Sequence, residues 1–154
     1  MNSVNNIKIR KAKIDDLYEI QKFDLEYNNF DSTLVQNWPL TQDGREYFEK
    51  AIKDAVSLIA YVNDEIVGYL VGTLYSQYSY NNNIQAELDN MCVMKEYRNQ
   101  GIGQKLFEEF KKICKDNKVN EIKVVASYNN LNAINFYKKN CFEEAELTLK
   151  QKID

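Results

Sequence analysis

The sequence YRNQGIGQKL, Tyr97–Leu106, is the most informative part of the chain because it joins a strand-like segment to a strongly amphipathic one. Glycines directly before a helix let the backbone approach an anion, and the unpaired N–H groups and positive dipole end of the helix can then hold that anion. Arg98 and Lys105 add positive charge within this stretch. The stretch lacks the third glycine of a dinucleotide fingerprint and the Gly-Lys-Ser/Thr of a P-loop. It predicts an anion-binding turn, with a purely structural strand-to-helix turn as the alternative.

The segments on both sides of this stretch alternate between strand-like and helix-like patterns. The predicted strands are Ile7–Arg10, Ser57–Val62, Ile66–Tyr75, Gln85–Met94, Ile122–Ala126 and Phe142–Leu149. The predicted helices are Asp15–Tyr27, Asp43–Ala55, Ile102–Asn117 and Asn132–Lys139. The order β-α-α-β-β-β-α-β-α-β has no internal repeat or composition break. It predicts a single α/β domain over residues 1–154, with a mixed, mostly antiparallel sheet flanked by helices.

The strand that precedes the glycine-containing stretch carries two carboxylates. A period of two places Glu87, Asp89, Met91 and Val93 on one face of this strand. The same period turns Cys92 to the opposite face, toward the core. Two like charges this close raise the pKa of at least one of them if the site is buried.

Two other local patterns bear on the architecture. Residues 28–40 are the least periodic region and are predicted to be a loop, because Pro39 biases Trp38 away from helical angles. Asp43 and Glu46 resemble a capping pair that opens the second helix.

The composition restricts the class of protein. The net charge of −3 gives no electrostatic attraction toward nucleic acid or anionic lipid. No apolar run approaches the roughly 20 residues that span a bilayer, and the polar start lacks the apolar stretch of a signal peptide. We therefore expect a cytoplasmic protein with neither a nucleic-acid nor a membrane partner.

The residue types that are missing narrow the chemistry further. The chain contains no histidine, which excludes Ser-His-Asp triads, Cys-His pairs, His-ligated zinc and histidine bases within it. Cys92, Cys114 and Cys141 are an odd, widely spaced set, so we expect neither a disulfide framework nor a metal site. Cys114 lies on the apolar helix face, and Cys141 is expected to be buried or in a turn.

Arg98-x-x-Gly101-x-Gly103 is followed further along the chain by Asn132-Ala133-x-x-Phe136-Tyr137. This combination resembles the GNAT superfamily of acyl-CoA-dependent N-acetyltransferases. The similarity in element order runs from residue 7 to 149, and its specific motifs lie between residues 87 and 142. The resemblance implies a GNAT-like acyl-CoA N-acyltransferase fold.

The resemblance implies acetyl-CoA as co-substrate, with its pyrophosphate on backbone amides of the glycine turn. The pantetheine arm is expected to pair with the preceding strand like an added strand. The cofactor-binding residues implied in this way are Met91, Cys92, Val93, Arg98, Asn99, Gln100, Gly101, Ile102, Gly103, Gln104, Lys105, Asn132 and Phe136.

The catalytic residues follow from the resemblance and from the chemistry of amines. A primary amine with a pKa of about 10.4 is protonated near neutral pH, so attack on a thioester needs a base or a desolvated site. Glu87 has the position of the catalytic glutamate in histone-acetylating relatives and is the favoured base, unless it is an ordinary strand residue. Asp89 is a second base or an anchor for the substrate ammonium. Tyr137 is implied as the donor to the leaving thiolate, with simple core packing as the alternative.

One departure from the family pattern follows this tyrosine. Family members commonly have glycine before the final phenylalanine of the motif, where this chain has Cys141. We expect Asn140 to take the left-handed conformation instead.

An acceptor pocket is predicted around the first helix and the loop that follows it. Tyr27, Phe30 and Trp38 lie there among carboxylates, a composition that suits a cationic amine. A hydrophobic lid packed on the sheet is the alternative interpretation.

The leading functional hypothesis is transfer of acetyl from acetyl-CoA to a primary amine of a small molecule, by direct attack in a ternary complex. A protein lysine or N-terminal amine is the alternative acceptor. A non-catalytic acyl-CoA-binding sensor is the alternative of another class. Homodimerisation is compatible with the resemblance.

Overall fold

The computed structural model describes residues 6–28, 37–75 and 84–153. Its sheet has five strands in the order β1-β2-β3-β4-β5, and neighbouring strands are antiparallel except β4 and β5, which are parallel. The strands are β1 (Lys8–Lys11), β2 (Val56–Val62), β3 (Glu65–Tyr75), β4 (Gln85–Val93) and β5 (Glu121–Val124). The helices are α1 (Leu17–Tyr27), α2 (Gln42–Asp54), α3 (Ile102–Asp116) and α4 (Leu131–Lys139). The predicted mixed, mostly antiparallel α/β architecture is confirmed.

Helix α3 packs on one face of the sheet, where two glycines of β3 make room for it. A Cβ atom at Gly72 would overlap the Phe110 ring, and one at Gly68 would lie 3.3 Å from both Ile102 and Leu106. Ile102, Leu106 and Phe110 are all fully buried, as the apolar stripe of α3 predicts. The helix axis therefore lies close to β3, and the helix begins directly after the glycine turn.

Helices α1 and α2 cover the other face. Ile20 and Phe23 of α1 and Phe48 of α2 are buried there against Tyr69 of β3, with the two phenylalanine rings 5.7 and 6.1 Å from the Tyr69 ring. The apolar side of α1 therefore faces the core. None of the helices in the described ranges is long and apolar enough to cross a membrane.

The start of α2 differs from the prediction. Its N-cap is Thr41, whose hydroxyl accepts a hydrogen bond of 3.2 Å from the Gly44 amide, so the expected role of Asp43 as cap is wrong. Trp38–Leu40 form a 3-10 turn instead of a loop, because Pro39 lies in the first turn, where its missing N–H costs no helical hydrogen bond. The end of this turn leaves Thr41 extended and able to cap α2.

The predicted final strand Phe142–Leu149 is wrong. Residues 142–153 have no regular secondary structure, and Leu147 and Leu149 are 82% and 84% exposed. Alternation shows which residues can share a face, but a strand also needs a neighbouring strand for its backbone hydrogen bonds. A single ion pair of 3.1 Å, between Lys123 and Glu146, connects this segment to β5.

Candidate functional site

The turn before α3, residues 98–101, has the backbone of an anion-binding nest. Gly101 is the N-cap in a left-handed conformation with φ of +81°, and Asn99 has φ of +59°. Within the described ranges, the N–H groups of residues 99–104 donate no hydrogen bond to the protein, and the first helical bond runs from the Lys105 amide to the Gly101 carbonyl at 3.0 Å. A Cβ atom at Gly101 would meet no atom within 4 Å, so the space beside it is open. Converging unpaired N–H groups beside open space are suited to a polyanion.

The side chains of the turn are tied to neighbouring backbone. Arg98 donates from Nε to the Val93 carbonyl at 2.9 Å, which keeps the exposed guanidinium at the end of β4. Gln104 donates from Nε2 to Asn140 Oδ1 at 2.8 Å and so connects α3 to the end of α4. Lys105 is exposed in the first turn of α3. The predicted polar and charged residues of the turn therefore lie together.

One edge of β4 is open next to this turn. The parallel ladder to β5 runs from Gln85–Glu121 to Leu88–Val124 and then stops, whereas β4 continues to Val93 along β3 alone. The backbone of residues 91–93 therefore faces a gap between β4 and β5 that an extended chain can enter. This gap lies at the end of β4 that leads into the glycine turn.

A β-bulge interrupts β4 just where the ladder to β5 ends. Leu88 pairs with Gly72 and Asn90 pairs with Val71, so Asp89 is an extra residue with no partner on β3. An extra residue reverses the alternation of side chains beyond it.

The bulge overturns the predicted common face of Glu87, Asp89, Met91 and Val93. Val93 lies on the α3 face, 3.9 Å from the position of a Cβ at Gly103, and Met91 shares that face by the period of two. Glu87 and Asp89 point to the other face. Cys92 is buried as predicted, but on the same face as these carboxylates. The sequence contains no signal for this because a bulge is defined only by pairing with the neighbouring strand.

The structure does bring the two predicted carboxylates, Glu87 and Asp89, together. Asp89 Oδ2 accepts a hydrogen bond of 2.5 Å from the Thr73 hydroxyl. Glu87 lies opposite Lys123 of β5 in the register of the parallel ladder. Burial raises the pKa of Asp89, the Thr73 hydrogen bond partly lowers it, and the charge of Glu87 raises it again, so the net direction is upward. A cavity of about 120 Å³ beside Glu87 is lined by Tyr75, Gln85, Ala86, Glu87 and Lys123.

Helix α4 places its motif against the glycine turn. Phe136 packs edge-on against Phe107 of α3 and lies 3.7 Å from the position of a Cβ at Gly103. Tyr137 stacks between Phe136 and Phe142, with both ring centroids 5.4 Å away, and burial raises its pKa to about 12. Its hydroxyl donates no hydrogen bond to any described residue. The ring packs against the core, as the alternative interpretation of Tyr137 as a packing residue expects.

Two further residues of this motif lie at the ends of α4. Asn132 is exposed in the first turn, where the cap is Asn130, which accepts a hydrogen bond from the Ala133 amide at 3.2 Å. At the other end Cys141 has φ of +66° and Asn140 has φ of −94°, so the expected left-handed Asn140 is wrong. Cys141 is exposed within the turn and has a left-handed backbone conformation of the kind that favours glycine.

The predicted acceptor aromatics occupy two places in one aromatic cluster. Tyr27 stacks on Phe23 at 4.8 Å, and Trp38 stacks on Tyr47 at 5.5 Å and on Phe48. Phe30 lies outside the described residues. Both described rings pack toward the sheet, as the alternative of a hydrophobic lid expects.

Sequence reasoning missed a buried polar network between α1 and the bulge, which we call the Asp24 network. It consists of Asp24, Asn28, Tyr69 and Asn90. Asp24 is 4% exposed, and it lies seven positions after Leu17 on the buried stripe of α1. A carboxylate in the apolar stripe of an amphipathic helix was the available signal.

Comparisons with known proteins agree with this geometry. Residues 14–141 match the family model described as the acetyltransferase (GNAT) family. No curated protein sequence matches the chain. A transcriptional regulator from Bacillus halodurans C-125 has a TM-score of 0.79 at 22% identity, over 96% of this chain and 100% of that one.

Two further solved structures are acetyltransferases with a bound small molecule. An aminoglycoside acetyltransferase from an uncultured soil metagenomic sample, in complex with sisomicin, has a TM-score of 0.76 at 22% identity, over 97% of this chain and 98% of that one. The PaiA N-acetyltransferase from Thermoplasma acidophilum, in complex with coenzyme A, has a TM-score of 0.76 at 22% identity, over 88% of each chain. At this identity the similarity establishes the fold.

Proposed function

The chain belongs to the GNAT family of acetyltransferases, and on that premise we propose that it transfers acetyl from acetyl-CoA to a primary amine of a small molecule in a ternary complex. The observation that carries the proposal is the row of unpaired N–H groups at residues 99–104, next to the open edge of β4. The gap supplies a place for an extended arm, and the turn supplies a place for a diphosphate.

The residues present fit acetyl-CoA. The amides of residues 99–104 would hold the pyrophosphate, with Arg98 and Lys105 as neighbouring cations. The backbone of residues 91–93 would pair with the amide-containing arm, and Phe136 and Asn132 of α4 would flank it. Acetyl-CoA supplies an acyl group activated as a thioester. The fold neighbour solved with coenzyme A supports this assignment.

The two carboxylates are proposed to prepare the amine. Removing the proton from an amine of pKa about 10.4 near pH 7 costs about 4 kcal/mol unless a base or a desolvated site helps. Glu87 is the base that the family resemblance favours. Asp89 has the raised pKa, lies at the end of the parallel ladder, and is the competing base or the anchor for the ammonium.

Tyr137 is proposed to stabilise the leaving thiolate by a hydrogen bond. With its pKa raised to about 12, full transfer of its proton to the leaving thiolate, whose conjugate thiol has a pKa of about 8.5, is uphill by about 5 kcal/mol. A phenol in this range remains a competent hydrogen-bond donor to developing negative charge. The proton of the thiol then comes from solvent or from the amine.

A cationic small molecule is the proposed acceptor class. The exposed carboxylate of Asp89 and the partly exposed carboxylate of Glu87 favour a positively charged substrate. Two fold-neighbour structures are of an aminoglycoside acetyltransferase. Acetylation of a protein amine requires the same chemistry on an extended substrate. Turnover with small amines and with peptides therefore distinguishes the two acceptor classes.

The test is steady-state turnover with acetyl-CoA and two acceptor panels, one of diamines, polyamines and aminoglycosides and one of lysine-containing and N-terminal peptides. Mass spectrometry of the acetylated product avoids interference from the three cysteines. Product from the small amines supports the proposal. Product from peptides alone assigns the protein-amine alternative, and tight coenzyme A binding without any product assigns a non-catalytic sensor.

A further inference from the structure

The Asp24 network connects α1 to the bulge of β4 through side-chain amides. Asn28 donates from Nδ2 to Asp24 Oδ1 at 2.8 Å and to Asn90 Oδ1 at 3.1 Å. The Tyr69 hydroxyl donates to the same oxygen of Asp24. Asp24 therefore fixes the orientation of Asn28, and Asn28 fixes the side chain of Asn90.

Asn90 lies at the junction of three elements. It is the first residue after the extra residue Asp89. Its side-chain Oδ1 accepts a hydrogen bond from Asn28 of α1, and the same side chain faces the hydroxyl of Tyr47 on α2. Tyr47 is itself largely buried against Trp38 and Phe48. Asn90 thus holds both covering helices to the strand that carries the candidate carboxylates.

We propose that Asn90 is a positioning residue, which locks the bulge of β4 in the register that presents Asp89 to the acceptor and leaves residues 91–93 open to the co-substrate. The catalytic part of this inference rests on the proposed function. Asn90 acts through the backbone of β4 and does not itself contact the reacting atoms.

The physical basis is the sensitivity of a strand to a shift by one residue. Such a shift exchanges the two faces, so Met91 would replace Asn90 opposite Asn28. An apolar side chain there removes the 3.1 Å hydrogen bond between Asn28 and β4, while Asn28 keeps Asp24 and the Tyr69 hydroxyl as partners, so the shifted register loses one part-buried hydrogen bond. The buried apolar residues Ala86 and Leu88 hold β4 before the bulge. At the bulge Asp89 is exposed, so the side-chain hydrogen bond that joins β4 to α1 there comes from Asn90.

The test compares Asn90→Ala with Asn28→Ala, which removes the other half of the same hydrogen bond, and with the double variant. Asn117→Ala is the matched control, because its side chain only donates to the Ile113 carbonyl at the exposed end of α3. Hydrogen–deuterium exchange of residues 85–93 is measured first, since it does not depend on any activity. We expect the amides of residues 85–93 to exchange faster in Asn90→Ala and in Asn28→Ala than in the wild type. The double variant should exchange no faster than either single variant, and Asn117→Ala should exchange at the wild-type rate.

The kinetic arm measures kcat and the dissociation constant for coenzyme A well below the melting temperature of each variant. We expect Asn90→Ala to lower kcat about tenfold to hundredfold, as a misplacement of reacting groups does, with the Asn28→Ala effect not additive. Unchanged exchange of β4 in Asn90→Ala overturns the proposal, whatever the wild type catalyses. A wild-type kcat in Asn90→Ala, where the wild type turns over, also overturns it, whereas a wild type without turnover contradicts the proposed function alone.

Discussion

The glycine turn and the bulge of β4 lie within one short stretch of chain, yet they are built in opposite ways. The turn offers backbone N–H groups that no described residue satisfies, and its glycine faces open space. The bulge is held by side-chain hydrogen bonds, with Asp89 bonded to Thr73 and Asn90 bonded to Asn28. We expect the backbone N–H groups of the turn to bind the diphosphate of the co-substrate, and the side chains at the bulge to act on the acceptor amine. Changes at the turn should therefore affect co-substrate binding, and changes at the bulge should affect turnover.

The largest expected effect is on the carboxylates beside the bulge. Glu87→Gln and Asp89→Asn are isosteric and serve as controls for one another. We expect the variant that lacks the base to lose about a hundredfold or more in kcat, and the other to show mainly a raised KM for the amine. Stopped assays with a saturating amine measure both constants.

The pH profile sharpens the same comparison. Because burial raises the pKa of Asp89, a base at this position loses activity as pH falls through that raised pKa, from a higher pH than an ordinary aspartate would show. Asp89→Asn should remove this acid limb and leave the affinity for coenzyme A unchanged. Retention of the limb in Asp89→Asn assigns it to another group.

Substitution of the turn should give the next largest effect, on binding. Gly101→Val forces a β-branched residue to φ of +81°, which displaces the amides that would hold the diphosphate. We expect affinity for coenzyme A to fall about a hundredfold, the equivalent of about 3 kcal/mol of lost hydrogen bonds. Calorimetric titration measures the affinity, and thermal unfolding confirms that the variant is folded. A folded Gly101→Val with wild-type affinity breaks the distinction between the two regions.

Removal of one hydroxyl should have an intermediate effect. Tyr137→Phe keeps the ring between Phe136 and Phe142 but removes the proposed donor to the thiolate. We expect kcat to fall about tenfold to hundredfold with unchanged coenzyme A affinity. Tyr128→Phe is the control, because Tyr128 is 89% exposed and outside the proposed site. Equal activity of the two variants would make Tyr137 a packing residue.

The smallest expected effect concerns stability at the end of α4. Cys141→Gly relieves an L-residue held at φ of +66° and should stabilise the protein by about 0.5–1 kcal/mol after the greater flexibility of unfolded glycine is included. Cys141→Ala, which keeps the strain but removes the thiol, should give no gain. Denaturant unfolding measures the free energy of unfolding of both variants. Equal values for Cys141→Gly and Cys141→Ala would contradict the proposed backbone strain at Cys141.

The sequence was sufficient wherever the determinant is local. The amphipathic pattern of α3 and the order of elements along the chain up to α4 follow from neighbouring residues, and the structure has both. The sequence analysis assigned the cap of α2 to Asp43, whereas the cap is Thr41, which follows an irregular turn.

What could not be predicted depends on contacts between distant residues. The bulge at Asp89 exists only in relation to β3, and the role of Asn90 only in relation to Asn28, far earlier in the chain. The alternation around Leu147 is genuine but forms no strand, since the pattern does not specify a partner. The predicted common face of the β4 side chains is therefore wrong, and their roles stay predictions.

The most direct measurement compares binding of coenzyme A with binding of pantetheine, which has the same arm but no diphosphate, to the wild-type protein by calorimetry. Coenzyme A should bind saturably, and pantetheine should bind at least about a hundredfold more weakly, because it cannot use the charge-assisted hydrogen bonds of residues 99–104. Equal affinity for both compounds, or no affinity for coenzyme A, would contradict binding of a diphosphate by the backbone of the turn.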